Sequence, residues 1–119
     1  MSSNSALKKN LETMLARGQD TALLRYTLGG ECLKAGEPLA ALEHYERSVV
    51  IDPDYSAAWR QLGKAAQAIG DTDRAREAWQ EGIATARARG DVQAAREMGV
   101  FLRRLEKSAV DGSERGAEP

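Results

Sequence analysis

Side chains that could perform acid–base, nucleophilic or metal chemistry are few in this sequence, and they do not form a set. His44 is the only histidine, so it has no second imidazole with which to hold a metal ion, and it stands between Glu43 and Tyr45 in an amphipathic segment. Cys32 is the only cysteine and cannot form an internal disulfide. We interpret His44 as a partly exposed structural side chain and Cys32 as an unreactive core thiol. We therefore expect no catalytic residues and no enzyme activity.

Three short patterns imitate ligand-binding loops but lack residues that such loops need. Two Asp-x-Asp pairs, at 52–54 and 71–73, look like the opening of a calcium loop, but neither has the glycine at loop position six or the glutamate at position twelve. The segment 62–65 contains Gly63 and Lys64 without the upstream glycine and the Ser or Thr of a phosphate-binding loop. We interpret the acidic pairs as helix caps, and we predict neither a metal site nor a cofactor.

The composition describes one small folded domain with nearly balanced charge. The chain has 119 residues, 42% hydrophobic and 29% charged, with 17 Lys and Arg against 18 Asp and Glu. A formal net charge of -1 provides no overall field that would attract nucleic acid or a membrane surface. The start of the chain lacks the unbroken apolar segment of a signal peptide, and no segment approaches the ~18 consecutive apolar residues that span a bilayer. We expect a cytoplasmic protein that does not contact a membrane.

The elements that must position any functional residue are helices. Apolar residues recur at spacings of three and four along almost the whole chain, and strand-like alternation is absent. Five breaks that contain glycine, proline or acidic residues divide this pattern. The predicted helices span about 5–17, 21–35, 38–51, 55–69, 72–89 and 92–107. The last segment, 108–119, is polar with two glycines and a terminal proline, so we predict a disordered tail there.

The sequence repeats itself with a period of 34 residues. At this shift Leu28 and Gly29 fall on Leu62 and Gly63. The same shift pairs Gly36 with Gly70, Ala41 with Ala75, Tyr45 with Trp79, and Val49 with Ile83. The first helix then corresponds to the second half of a truncated earlier repeat. With two residues inserted within 86–91, the sixth helix corresponds to the first half of a later repeat, as a capping helix.

The period and several residue pairs resemble the tetratricopeptide repeat family, and in particular a small bacterial-type member. The resemblance covers about residues 5–107 and rests on Trp59, Leu62 and Gly63, on Gly70 and Asp71, on Ala75 and Trp79, and on Asp52 and Pro53. It implies an all-α, right-handed α-α superhelix in a single domain over 1–107. Two full repeats, about 22–55 and 56–91, would be flanked by the half-repeat helices 5–17 and 92–107. Arg25 and Arg87 depart from the family pattern, which favours tryptophan and proline there.

The resemblance also implies a concave groove lined by the first helix of each hairpin. The residues that it places in a peptide-binding groove are Tyr26, Leu33, Lys34, Arg60, Lys64, Gln67, Arg96, Val100 and Arg103, with Arg104 beside them. This set contains no acidic residue, and arginine forks suit carboxylates. We therefore predict a noncatalytic adaptor that binds a peptide, an acidic segment or a helix of another protein. The complete Lys and Asn set that holds a C-terminal carboxylate in chaperone-binding members is missing, since Gly30 and Lys64 stand where an asparagine is expected.

Three alternatives remain open at this level. The groove charges could be ordinary solvated charges of helix faces. The exposed end helices, including residues 98–107, could stack on a second copy and form a homodimer. Nucleic acid could bind Arg87, Arg89, Arg103, Arg104 and Lys107, but acidic residues interleave with these charges and no aromatic platform accompanies them.

Overall fold

A computed structural model describes the backbone over residues 3–117 and the side-chain surroundings over residues 6–108. Within that range the chain forms six α-helices and no strand. They are α1 Ser3–Ala16, α2 Ala22–Lys34, α3 Pro38–Ile51, α4 Ser56–Ala68, α5 Thr72–Ala88 and α6 Val92–Ala117. The all-α class and the order of helices are confirmed, and every predicted boundary lies within two residues of the structure except the end of α6.

The helix ends follow from local capping chemistry. The Asp71 carboxylate accepts a hydrogen bond from the backbone N–H of Arg74 at 3.0 Å and so caps α5. Gly36 and Gly70 end α2 and α4 at φ values of +74° and +81°, a left-handed conformation that glycine adopts without steric cost. At the pair 52–54, Asp52 is the C-cap residue of α3, and its backbone N–H donates to the Ser48 carbonyl. Its carboxylate accepts from the N–H of Asp54 at 3.0 Å and shapes the loop before α4.

The helices form two layers. Consecutive helices pack against each other, and in addition α2 contacts α4 and α4 contacts α6. These second-neighbour contacts place α2, α4 and α6 side by side, and we call their shared surface the inner face. The helices α3 and α5 lie behind them, so the predicted array of helical hairpins, with a single helix at each end, is confirmed.

Glycines of the inner helices receive aromatic side chains of the outer helices. Tyr45 on α3 is 1% exposed, and a Cβ added at Gly29 on α2 would lie 2.6 Å from its Cε1 atom. Trp79 on α5 is also 1% exposed, and a Cβ at Gly63 on α4 would overlap its indole ring. The indole Nε1–H donates to the Arg60 carbonyl at 3.1 Å, which satisfies its buried polar group. The glycines therefore allow the close helix packing that the repeat predicted.

Arg25, which departs from the family pattern, joins α2 to α3. Its guanidinium pairs with Asp20 at 2.7 Å and donates from Nη1 to the Nδ1 atom of His44 at 3.2 Å. Because a guanidinium can only donate, this contact favours the neutral imidazole, and burial together with the charge of Arg25 lowers the pKa of His44. His44 is partly exposed as expected, while Cys32 is 2% exposed, and its burial raises the pKa of the thiol.

The backbone of α6 is helical to Ala117, past the predicted end of this helix at about residue 107. Gly112 and Gly116 each cost only about 1 kcal/mol relative to alanine in a helix, and Pro119, which blocks helical hydrogen bonding, comes after them. The disordered tail over 108–119 stays a prediction. Residues 118 and 119, and the side chains after Ser108, lie outside the described part of the chain.

Candidate partner-binding surface

A depression on the inner face combines an aromatic floor with cationic side chains. It has a volume of about 390 Å³ between α4 and α6 and is lined by Lys64, Gln67, Trp79, Phe101 and Arg104. The Lys64 ammonium lies 4.9 Å from the centre of the Phe101 ring, within the range of a cation–π contact. The Phe101 ring in turn lies 5.4 Å from the Trp79 ring. We call these five residues the Lys64 depression.

The two cations of the Lys64 depression are not neutralised within the described residues. Neither Lys64 nor Arg104 has a carboxylate within ion-pair distance there, and both side chains are exposed. An ammonium and a guanidinium above an aromatic surface can bind an acidic group while an apolar side chain packs beside it. The geometry therefore suits a ligand that carries both features close together.

Arg60 differs from Lys64 because its charge is already paired. Its Nη1 donates to the Glu97 carboxylate on α6 at 3.2 Å, and Asp91 lies beside this pair in a smaller depression. The Nε atom of Arg60 is buried with no hydrogen-bond partner among the described residues. The inner face was expected to carry no acidic residue. Glu97 and Asp91 correct that expectation and confine the unpaired positive charge of this region to the Lys64 depression.

The rotation of α6 about its own axis explains why an acidic residue of this helix lies on the inner face. Met98 is buried like Leu62, as the two-residue insertion predicted. However, the α6 residues that face α4 lie one position after the predicted Arg96, Val100 and Arg103. They are Glu97, which pairs with Arg60, Phe101, which lies under Lys64, and Arg104, which lines the Lys64 depression. Successive residues of a helix project about 100° apart. A displacement by one residue therefore puts a glutamate in place of Arg96 and a phenylalanine in place of Val100, and keeps an arginine at the third position.

Arg96 and Arg103 consequently lie away from Lys64. They line a depression of about 410 Å³ with Arg87, Val92 and Gly99 on the opposite, open side of α6. Val100 is half-buried between the two sides. Of the three α6 residues assigned to the groove, the two arginines therefore belong to a different surface.

The groove residues assigned on α2 are largely engaged by the protein itself. The Tyr26 ring lies 5.0 Å from that of Tyr55 and 5.8 Å from that of Tyr45, and Leu33 packs partly buried against the same core. Lys34 is exposed and pairs with Glu31 at 3.1 Å. These residues form the start of the inner face, but they add little unpaired charge.

Sequence reasoning missed Phe101 and Glu97. Positions 97, 101 and 104 follow the spacing of four and three that defines one face of a helix, and Phe101 is the only phenylalanine of the chain. That spacing was visible, but which face of α6 points toward α4 depends on how the helix packs, and the repeat alignment alone does not determine it.

The described residues contain neither a metal-binding cluster nor a membrane-spanning helix. No group of three or more His, Cys, Asp or Glu side chains with metal-binding proximity occurs among the described residues. None of the helices in this part of the chain is both long and apolar enough to cross a membrane.

Stacked helical hairpins with glycine–aromatic contacts between inner and outer helices define a helical-repeat protein. A family model described as tetratricopeptide repeat matches residues 33–98. The chain belongs to the tetratricopeptide repeat family. Proteins of this family are in general noncatalytic modules that bind other proteins, and a protein-interaction module is the class of function that the membership supports.

Known relatives share both sequence and fold with this chain. It is 54% identical over 100 residues to a TPR repeat-containing protein of Pseudomonas aeruginosa, an alignment that covers 84% of this chain and 95% of the relative. The solution structure of a protein from Bordetella parapertussis is 41% identical, has a TM-score of 0.79, and is matched over 99% of this chain and 100% of its own. A crystal structure of PcrH in complex with the chaperone binding region of PopD has a TM-score of 0.83, covering 89% and 80% of the two chains. At 18% identity this last likeness concerns the fold alone.

Proposed function

We propose that this protein is a noncatalytic adaptor that binds a peptide or helical segment of another protein on its inner face, with an acidic group of the ligand in the Lys64 depression. The observation that carries the proposal is a depression lined by two unneutralised cations, Lys64 and Arg104, and by the rings of Phe101 and Trp79, with the Lys64 ammonium over the Phe101 ring. We further propose that the protein acts in the cytoplasm, which rests on its single cysteine.

Each part of the depression contributes a different interaction. A ligand carboxylate would bind Arg104 and Lys64 through charge-assisted hydrogen bonds, which are stronger than those between neutral groups. An apolar ligand side chain would cover Phe101 and remove its exposed ring surface from water. The exposed Gln67 amide can both donate and accept, and so suits a ligand backbone.

Arg60 and the α2 residues have secondary roles in this proposal. Arg60 would bind a ligand carboxylate only by giving up Glu97, because its Nη1 atom is paired and its Nε atom is buried away from the surface. An extended ligand that continues along the inner face would then reach Tyr26 and Leu33, which offer partly buried apolar surface. By analogy, PcrH has this fold and is found in complex with a region of PopD.

Charge reversal tests the proposal. A variant with Lys64→Glu and Arg104→Glu should lose the partners that the wild-type protein captures from its native lysate, because like charges would face the acidic ligand. The control carries Lys9→Glu and Arg17→Glu, two exposed residues of α1 and the turn after it, and changes the net charge equally. Quantitative mass spectrometry of the captured proteins and the Tm of each variant are measured together.

The outcomes are distinct. The proposal is supported if only the variant with Lys64→Glu and Arg104→Glu loses capture of the partners while the Tm values of the two variants agree. Equal capture by both variants contradicts it. The difference should also shrink as the salt concentration rises, because screening weakens charge pairs at a partly exposed surface.

A further inference from the structure

A third glycine repeats the pattern of Gly29 and Gly63 without an aromatic partner. Gly99 on α6 corresponds to Gly63 on α4, with Met98 buried before it as Leu62 is buried before Gly63. A Cβ added at Gly99 would contact only the Nη1 atom of Arg103, at 3.6 Å, whereas a Cβ at Gly63 would overlap the Trp79 ring. The backbone of α6 therefore carries a notch of the same kind, with no ring in it from the described part of the chain.

Among the described residues, no outer helix covers the notch. The face of α2 is covered by α3 and that of α4 by α5, whereas α6 packs only against α5 and α4. Next to Gly99 lie Ile83 and Leu102, both partly buried, and Val92 is 62% exposed. Two depressions of about 380 and 410 Å³ lie along this surface. We call it the open face.

The charges of the open face select its occupant. Arg87, Arg96 and Arg103 line it together with one acidic residue, Glu106, and none of the three arginines forms an ion pair within the described residues. A second copy bound through the same face would place these arginines against each other, which disfavours a symmetric dimer. The excess of positive charge is complementary to an acidic surface.

The other end of a second copy also fits poorly. The helix α1 has the sequence SNSALKKNLETMLA, which contains no aromatic residue to fill the notch. It carries two lysines against one glutamate and therefore does not complement the arginines. Head-to-tail stacking of copies would leave the Gly99 notch empty.

We propose that the open face binds an amphipathic helix of a partner protein that inserts an aromatic side chain over Gly99 and sets carboxylates against Arg87 and Arg103. The partner helix completes the repeat in the place where α5 covers α4. This site lies on the opposite side of α6 from the Lys64 depression, so a partner held there leaves the inner face free for a peptide.

A synthetic helix tests this site without knowledge of the natural partner. The probe copies Thr72–Ala88 with Arg74→Glu and Arg76→Glu, keeps Trp79, carries fluorescein, and is lactam-bridged on its outer side because isolated short helices are marginally stable. Fluorescence anisotropy should show saturable binding to the wild-type protein. Affinity should fall at least about tenfold for the probe in which Trp79 is replaced by alanine.

Two protein variants locate the bound probe. Gly99→Ala fills the notch with a methyl group that meets nothing closer than 3.6 Å, so the free protein stays folded while probe binding weakens at least about tenfold. Arg87→Glu with Arg103→Glu should weaken it similarly, and more so at low salt. The variant with Lys64→Glu and Arg104→Glu serves as the control and should bind the probe as the wild type does.

Three results would overturn the proposal. The first is equal binding of the probe by the wild type and Gly99→Ala, and the second is no binding at millimolar probe. The third is a wild-type dimer in sedimentation velocity that Gly99→Ala dissociates, which would make a second copy the occupant. Since the control variant lacks the cations of the inner face, failure here is distinguishable from failure of the proposed peptide groove.

Discussion

Alanine substitution at the glycines of the inner helices measures the packing of the repeats directly. Gly29, Gly63 and Gly99 lie inside α2, α4 and α6, so alanine should contribute about 1 kcal/mol of helix propensity at each position. At Gly99 nothing opposes this gain, because the added methyl group contacts only Arg103. The free energy of unfolding of Gly99→Ala should rise by about 1 kcal/mol, and the Tm by about 4 °C.

At Gly63 the same methyl group would collide with a buried side chain. It would overlap the Trp79 indole, which is 1% exposed and packed in the core. Overpacking of this kind costs about 1–3 kcal/mol, sometimes more. The propensity gain is the same as at Gly99, so the difference between the two variants isolates the packing cost. Gly29→Ala should fall on the same side as Gly63→Ala, since its new Cβ would lie 2.6 Å from Tyr45.

Urea denaturation followed by far-UV circular dichroism provides the three unfolding free energies, with equal m values required for the comparison. If Gly63→Ala proves as stable as Gly99→Ala, Trp79 is not wedged against α4 and the packing described here is wrong. If instead Gly99→Ala loses as much stability as Gly63→Ala, a side chain covers Gly99 in solution and the open face does not exist.

Three further predictions concern individual contacts. Trp79→Ala should lower the unfolding free energy by about 3–5 kcal/mol through lost burial and a cavity, and a Tm close to that of the wild type would contradict its place in the core. The pKa of His44 is lowered in the folded state, so the unfolded chain binds the proton more readily. Stability should therefore fall as the pH drops below about 6.5, and urea titrations across pH should show that His44→Gln removes this component. Arg74 makes a two-pronged pair with Glu46, so thermal melts of Arg74→Lys, which keeps the charge but not the fork, should show a loss of about 1 kcal/mol.

The fold could be predicted because the two repeats carry the same packing residues at the same spacing. Gly29 and Gly63 recur with the same spacing to Tyr45 and Trp79, and such recurrence reports contacts between helices that are neighbours along the chain. Breaks such as Gly36 and Gly70 act within a few residues, so their effect on helix ends is local as well.

The candidate site could be predicted only in part, because it depends on two helices separated by a third. Lys64 and Gln67 were placed on the inner face from the sequence, and the structure sets them together with Phe101 and Arg104 of α6. The sequence by itself thus determined the helices, their order, the buried residues and the inner side of α4. Only the tertiary structure decided which side of α6 faces α4, because the residue pattern of this helix is compatible with several rotations of the helix about its axis. Packing against α5 selects one of them, and a turn of about 100° is enough to put Glu97 against Arg60 and to leave Arg103 on the open face.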